Sequence, residues 1–140
     1  MIRAFVKEDL GELLDVWYRA SLIAHSFLPE EFFETERRLI ADEWLPQSET
    51  TVYELNGRVV GFLSLVGNEV GGIFVDPEYQ RRGIGRALMD AARGVRDRLE
   101  LEVFEANEPA RRFYEAYGFE PVDRHINPDT GYPELRLRLG

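Results

Sequence analysis

Gly83 and Gly85, with Arg81, Arg82 and Arg86 around them, are the residues of this chain best suited to hold an anion. Glycines carry no Cβ to keep a phosphate away from the main chain, and the guanidiniums gather where most of the chain is acidic. They follow Val70–Val75, a run with the β-branched and aromatic bias of a strand, and Pro77, which breaks a ladder. After Gly85 the pattern changes to the 3.6-residue period of a helix. A helix begun at such a turn leaves its first N–H groups unpaired at the positive end of its dipole, and a diphosphate fits there. No Lys-Ser or Lys-Thr follows, which excludes a Walker loop, and Leu88 stands where a dinucleotide fingerprint requires glycine or alanine. Taken alone, the Gly-x-Gly is equally consistent with a tight strand-to-helix turn on a basic surface.

The elements that must position this turn are legible on both sides. Met1–Val6 reads as a short strand, and Leu10, Leu13, Leu14, Trp17 and Ser21 mark one face of a helix running to Ala24. His25–Pro29 interrupts it, and a second helix starts at Pro29 and carries Phe32, Phe33, Leu39, Ile40 and Trp44. His25, Phe27, Phe32 and Phe33 stand at this bend, where they line a substrate pocket or simply join the core. Thr50–Leu55 and Arg58–Val66 are strands joined by Asn56-Gly57, and Gly67-Asn68 makes a second tight connection into a strand beginning at Glu69.

Beyond the turn, Ile84, Leu88, Ala91, Ala92 and Val95 trace the buried side of a helix ending near Arg98, and Leu99–Phe104 alternates as a strand. Strand, helix and strand in close succession predict a βαβ crossover with parallel strands, which puts the turn at the carboxyl edge of a sheet. Asn107 caps a short helix that stops at Gly118. Phe119–Ile126 and a closing strand through Leu135, Leu137 and Leu139 flank the turn cluster 127–131.

Composition narrows the function. With 17 basic and 26 acidic residues the net charge is −9, which argues against nucleic acid and anionic membrane as partners and either favours cationic ones or serves solubility alone. The chain has no cysteine, so disulfides, thiolate metal sites and a cysteine nucleophile are excluded. No run approaches the roughly 20 apolar residues of a spanning helix, and a cytoplasmic protein is expected. No repeat or linker divides the 140 residues, and one domain over 1–140 is expected, burying about 70% of the surface of its unfolded chain.

Two segments together carry a resemblance. Val75-Asp76-Pro77 with Gln80-Arg81-Arg82-Gly83-Ile84-Gly85-Arg86-Ala87-Leu88 resembles the acetyl-CoA motif of the GNAT superfamily of N-acetyltransferases, and Asn107 to Phe119, with Ala110, Phe113-Tyr114 and Gly118-Phe119, resembles its second signature. The resemblance implies an α/β (α+β) GNAT fold: a mixed, mostly antiparallel sheet flanked by helices, with a central parallel strand pair that splays to admit pantetheine. It implies that the main chain at Phe74 and Val75 pairs with pantetheine, and that amides from Arg81 through Arg82, Gly83, Ile84, Gly85 and Arg86 to Ala87 hold the diphosphate. Asn107 is implied to lie near pantetheine, although capping is its simpler role, and Tyr114 to protonate or hydrogen-bond the leaving thiolate.

The implied reaction is direct transfer of an acetyl group from acetyl-CoA to a primary amine, of a protein or a small molecule, in a ternary complex. No metal is expected, and the protein is expected to be a monomer or homodimer. An amine with pKa near 10.4 lies about 3.4 units above neutral pH, so presenting its free base costs about 4.6 kcal/mol. Glu69 is similar in position to the general base of some GNAT enzymes, and strand parity would put it on one face with Gly71, Ile73 and Val75. An exposed glutamate at a strand end, or a water acting as base, is the alternative. The rival to an enzyme is a non-catalytic acyl-CoA-binding or sensing module.

Overall fold

The computed structural model describes residues 1–140. Its strands are β1 (Ile2–Ala4), β2 (Glu49–Leu55), β3 (Arg58–Val66), β4 (Glu69–Val75), β5 (Leu99–Phe104), β6 (Glu120–Ile126) and β7 (Pro133–Leu139). Its helices are α1 (Leu10–Ala24), α2 (Glu30–Leu39), α3 (Leu45–Gln47), α4 (Ile84–Val95) and α5 (Glu108–Tyr117). A π-helical turn, Ile40–Trp44, joins α2 to α3. The helix expected to reach Arg98 ends at Val95, because Arg96 takes an extended conformation, φ −141° and ψ 133°.

The strands form one seven-stranded sheet in the order β1-β2-β3-β4-β5-β7-β6. Every neighbouring pair is antiparallel except β4 and β5. Those two are parallel and meet in register only at Glu69 opposite Glu100, with the Glu100 amide on the Asn68 carbonyl at 2.9 Å. From there they part, so the edge of β4 toward Val75 has no strand beside it. The expected mixed sheet with a splayed parallel pair is the fold observed.

Helices cover both sheet faces. On one, Ile84, Leu88, Met89 and Ala92 of α4 and Tyr114 of α5 pack on Val60, Leu63, Val70, Leu99 and Leu101. On the other, Leu13, Val16 and Trp17 of α1 and Phe33 of α2 pack on Val52, Val59, Phe62 and Phe104. Each of these side chains is nearly withdrawn from water, and burial at about 1.5–3 kcal/mol per large apolar side chain fixes the helices against the sheet. No helix is long and apolar enough to cross a membrane.

One local irregularity changes which residues share a face. Ser64 pairs with Gly72 but Leu65 pairs with Val70, so Gly71 is an extra residue in β4 and forms a β-bulge. Val70, Ile73 and Val75 consequently all pack toward α4 and α5, while Phe74 packs toward α1 and α2. Glu69, on the opposite side from Val70, shares the face of Phe74. The parity that groups Glu69 with Ile73 and Val75 fails at the bulge.

Candidate active site

The opening between β4 and β5 continues into a cleft of about 1190 Å³ that runs from the turn before α4 to the bend between α1 and α2. It is lined by every candidate site residue read from the sequence except Arg82, Ala87 and Phe33, the last of which packs in the core beneath α1 and α2.

At one end is the anion cradle. Gly83 takes φ +80° and ψ 9°, left-handed values that glycine adopts without cost, and Arg81 is left-handed too, at φ 66°. The first helical hydrogen bond runs from the Ala87 amide to the Gly83 carbonyl at 3.0 Å, and the amides from Arg81 through Arg86 donate none within the protein. These are the orphan donors of a helix start, with the helix dipole behind them. Two expectations change here. The Ala87 amide is already spent on Gly83, and the Arg82 guanidinium lies over the Tyr79 ring, 5.2 Å from its centroid, leaving only its main chain in the cradle. Arg81 and Arg86 line the cleft, Arg86 with its guanidinium 5.8 Å from the Tyr117 centroid. The reason for Gly85 also differs. A Cβ there would meet the Phe113 ring at 3.5 Å and Val75 at 3.8 Å, so it would fill the gap between α4 and its neighbours and not the cradle itself.

Along the middle of the cleft runs the free edge of β4. The Asp76 amide bonds the Val60 carbonyl at 2.8 Å, which makes the opposed pairs Phe74–Phe62 and Gly72–Ser64 the hydrogen-bonded ones of this antiparallel ladder. By alternation, Ile73 and Val75 turn their main-chain groups across the gap, while Phe74 spends its own on β3. The expected pairing groups near Phe74 and Val75 therefore belong to Val75 and Ile73, the latter missed because the sequence does not phase the ladder. The Val75 carbonyl is met by Gln80 Nε2 at 3.1 Å, leaving its N–H toward the gap.

Tyr114 is 8% exposed, stacked edge-on against Phe113 and Phe119 with centroids 5.6 Å away in both cases. Burial alone pushes its phenol pKa up, no side chain hydrogen-bonds its hydroxyl, and it lines the cleft. It is a neutral O–H donor at physiological pH. Asn107 caps α5, its Oδ1 accepting from the Ala110 amide at 3.4 Å, which turns its Nδ2 toward His25 Nε2 at 3.5 Å. His25 is packed edge-on against Phe104 and Phe27 at 5.2 and 6.1 Å, and this burial lowers its pKa to about 4. It is a neutral imidazole whose Nε2 faces a donor.

The other end of the cleft is acidic. Glu102 and Glu134 lie on the same sheet face as Glu69, and Glu36 of α2 and Asp129 of the β6–β7 loop close the rim. Arg136 Nη2 holds Glu69 Oε1 at 2.7 Å and Arg136 Nη1 reaches Glu102 Oε1 at 3.3 Å. His125 Nε2 meets Glu102 at 2.7 Å and Glu134 at 3.2 Å, with Asp123 on its Nδ1 at 3.2 Å. Desolvation opposes the charge of His125, but the hydrogen bonds to Glu102 and Asp123 outweigh it and raise its pKa. Donor atoms of Glu102, His125 and Glu134 lie within 4.8 Å of one another, a set able to hold a divalent ion and equally satisfied by the imidazolium itself. From sequence alone no metal is expected and nothing marks this cluster, because its members come from three strands far apart in the chain.

Against known proteins, residues 12–119 match the model of the acetyltransferase (GNAT) family. The chain is 34% identical over 134 residues to the peptidyl-lysine N-acetyltransferase YiaC of Escherichia coli K12, covering 95% of this chain and 92% of that one. It is 34% identical over 140 residues to the peptidyl-lysine N-acetyltransferase YjaB of the same strain, covering 99% and 94%. The solution structure of the apo form of YjaB from E. coli superposes with a TM-score of 0.87 at 30% identity, covering 99% of this chain and 95% of that one. The crystal structure of PaiA N-acetyltransferase from Thermoplasma acidophilum in complex with coenzyme A has the same fold, with a TM-score of 0.80 at 19% identity over 99% and 96% of the two chains. The cradle, the splayed strands and these matches agree, and the chain belongs to the GNAT family of acetyltransferases.

Proposed function

We propose that this acetyltransferase moves the acetyl group of acetyl-CoA directly onto the side-chain amine of a peptidyl lysine, with both substrates in the one cleft. The observation that carries the reading is the unspent run of amides from Arg81 through Arg86, opening into the same cleft as a carboxylate-rich face. One end is built for a diphosphate and the other for a cation. PaiA in complex with coenzyme A supports the donor, and relatives named peptidyl-lysine N-acetyltransferases support the acceptor.

On this reading the pantetheine arm lies along the free edge of β4, where the Ile73 and Val75 main chains take its amides and the Val75 N–H polarises the thioester carbonyl. The lysine ammonium approaches from the acidic end. Loss of its proton to a carboxylate there, Glu69 or Glu102, or to water, frees the nitrogen lone pair. The nitrogen attacks the carbonyl carbon, the new C–N bond forms, and the C–S bond breaks with its electron pair leaving on sulfur. Holding amine and carbonyl about 3 to 3.5 Å apart accounts for much of the acceleration.

Tyr114 acts on that sulfur as a hydrogen-bond donor. A thiol of pKa near 8.5 is a stronger acid than a phenol whose pKa is raised above 10, so full proton transfer from Tyr114 to the thiolate is uphill. The phenol stabilises the developing charge, and the proton that finally rests on sulfur comes from the attacking amine by way of solvent or base.

Thioester consumption with acetyl-CoA over a panel of amines tests the reading. Lysine-containing peptides should be turned over with higher kcat/KM than polyamines or free amino acids. Preference for a small amine would overturn the peptidyl-lysine assignment.

A further inference from the structure

His25 is a buried titratable group that the transfer step leaves unused. It closes α1, its amide on the Ser21 carbonyl at 2.8 Å and its carbonyl accepting the Leu28 amide at 3.0 Å, so its main chain is spent at the bend. Phe104 and Phe27 hold the ring edge-on, and burial keeps it neutral. A neutral imidazole has one bare nitrogen and one N–H, and what faces each nitrogen decides which is which.

Asn107 faces Nε2. Its Oδ1 is committed to the Ala110 amide at 3.4 Å, the cap of α5, which leaves Nδ2 directed at Nε2, 3.5 Å away. Nε2 is therefore the bare nitrogen and the proton sits on Nδ1. The contact is long, and contacts of this kind commonly tighten only once substrates are bound. A flipped Asn107 amide would set its oxygen against the Nε2 lone pair and its NH2 group against the Ala110 N–H, so the imidazole holds the side chain in its capping rotamer. The main chain of Asn107 adds its amide on the Phe104 carbonyl at 2.9 Å, and its carbonyl accepts the Arg111 amide at 3.1 Å. The start of α5 is thereby tied to β5 and, through one side chain, to the end of α1.

Tyr114 lies seven residues beyond Asn107, about two turns along α5 and on the same face, and both line the cleft. No side chain holds the Tyr114 hydroxyl, so its place in the cleft depends on where α5 sits. We propose that His25 is a positioning residue for acetyl transfer: through Asn107 it fixes the start of α5 and so aims the Tyr114 hydroxyl at the leaving sulfur. This rests on the direct-transfer reading with Tyr114 as donor to sulfur, and deepens it.

The test measures transfer to a lysine peptide from acetyl-CoA, and from a donor whose leaving thiol is more acidic, by the unaltered protein, His25→Gln and His25→Phe. Phenylalanine keeps the packing against Phe104 and Phe27 without an acceptor, whereas glutamine keeps an acceptor oxygen without the ring. Positioning predicts that His25→Phe lowers kcat with acetyl-CoA about tenfold while acetyl-CoA affinity by titration holds, and that His25→Gln recovers most of the loss. The donor with the more acidic thiol should lose much less in His25→Phe, as it should in Tyr114→Phe. In Asn107→Ser, which keeps a cap but cannot reach Nε2, adding His25→Phe should cost little more. A packing role predicts the opposite order, with His25→Phe near the unaltered rate and His25→Gln below it, and that order overturns the proposal. Equal losses for the two donors in His25→Phe, when Tyr114→Phe distinguishes them, overturn it too. Imidazole nitrogen NMR shifts of the unaltered protein add a check that needs no variant: the proton should be on Nδ1, and a proton on Nε2 overturns the proposal. If Tyr114→Phe costs nothing, or no lysine peptide is acetylated, the reading beneath fails and this role falls with it.

Discussion

Arg19 Nη1 stands 2.6 Å from Asp76 Oδ2, and Asp76 has no exposed surface. The same carboxylate accepts the Glu78 amide at 3.0 Å, so one buried charge fastens α1 to the end of β4 and starts the turn that leads to the anion cradle. Arg19→Ala would leave that carboxylate buried without its cation. Unfolding free energy in urea should fall by about 3 kcal/mol, the lower part of the range for breaking a buried pair because Arg19 itself is about a third exposed. Arg19→Lys should recover part of the loss.

The cradle makes a second prediction through backbone conformation. Gly83→Ala forces a side chain into left-handed space at about 1 to 2 kcal/mol, and relief by rotation would turn the orphan amides out of line. Acetyl-CoA affinity by calorimetric titration should fall about tenfold. Gly85→Ala should cost less, because its Cβ would make an ordinary contact with Phe113. The reverse order would mean that the diphosphate is not held at this turn.

Much of this was legible because it is local. Asn56-Gly57 closes its hairpin with both residues left-handed, φ 53° and 76°, as the dipeptide predicts, and the strand, turn and helix around Gly83 follow from periodicity and proline. The bulge at Gly71 was not legible: it is a mismatch between two strands, and strand parity in β4 alone put Glu69 on the wrong face. Nor was the insertion of β7 between β5 and β6, which brings Glu134 and His125 to Glu102. Arg19 and Asp76 meet only through tertiary packing, and nothing in their spacing announces it.

Tyr114 offers a test that separates chemistry from packing. Tyr114→Phe keeps the ring between Phe113 and Phe119 and removes only the hydroxyl, so acetyl-CoA affinity should hold while kcat drops by about 10²- to 10³-fold, the loss of one donor to a developing charge. A donor analogue with a more acidic leaving thiol should lose much less, since its sulfur needs less help. Equal losses for both donors would assign Tyr114 to positioning.

His25 predicts a pH effect on stability. Its pKa is lowered from an ordinary value of 6.5 to about 4, so between those values the unfolded chain binds more protons than the native one. Stability from the neutral imidazole is present above pH 6.5 and is lost as pH falls toward 4, by on the order of 3 kcal/mol. Urea unfolding at pH 7 and pH 4.5 should show a smaller difference for His25→Phe than for the unaltered protein. Imidazole NMR shifts that titrate near 6.5 would contradict it.

The central claim is that the acetyl group passes from acetyl-CoA to a peptidyl lysine without resting on the protein. Mass spectrometry of the protein and a lysine peptide, after incubation with acetyl-CoA separately and together, measures this directly. The account predicts one added acetyl group on the lysine Nε in the full mixture, and none on the protein in a brief incubation with acetyl-CoA alone. Rapid stoichiometric acetylation of the protein that then chases onto peptide would contradict direct transfer. A peptide that stays unmodified while thioester is consumed would contradict the acceptor.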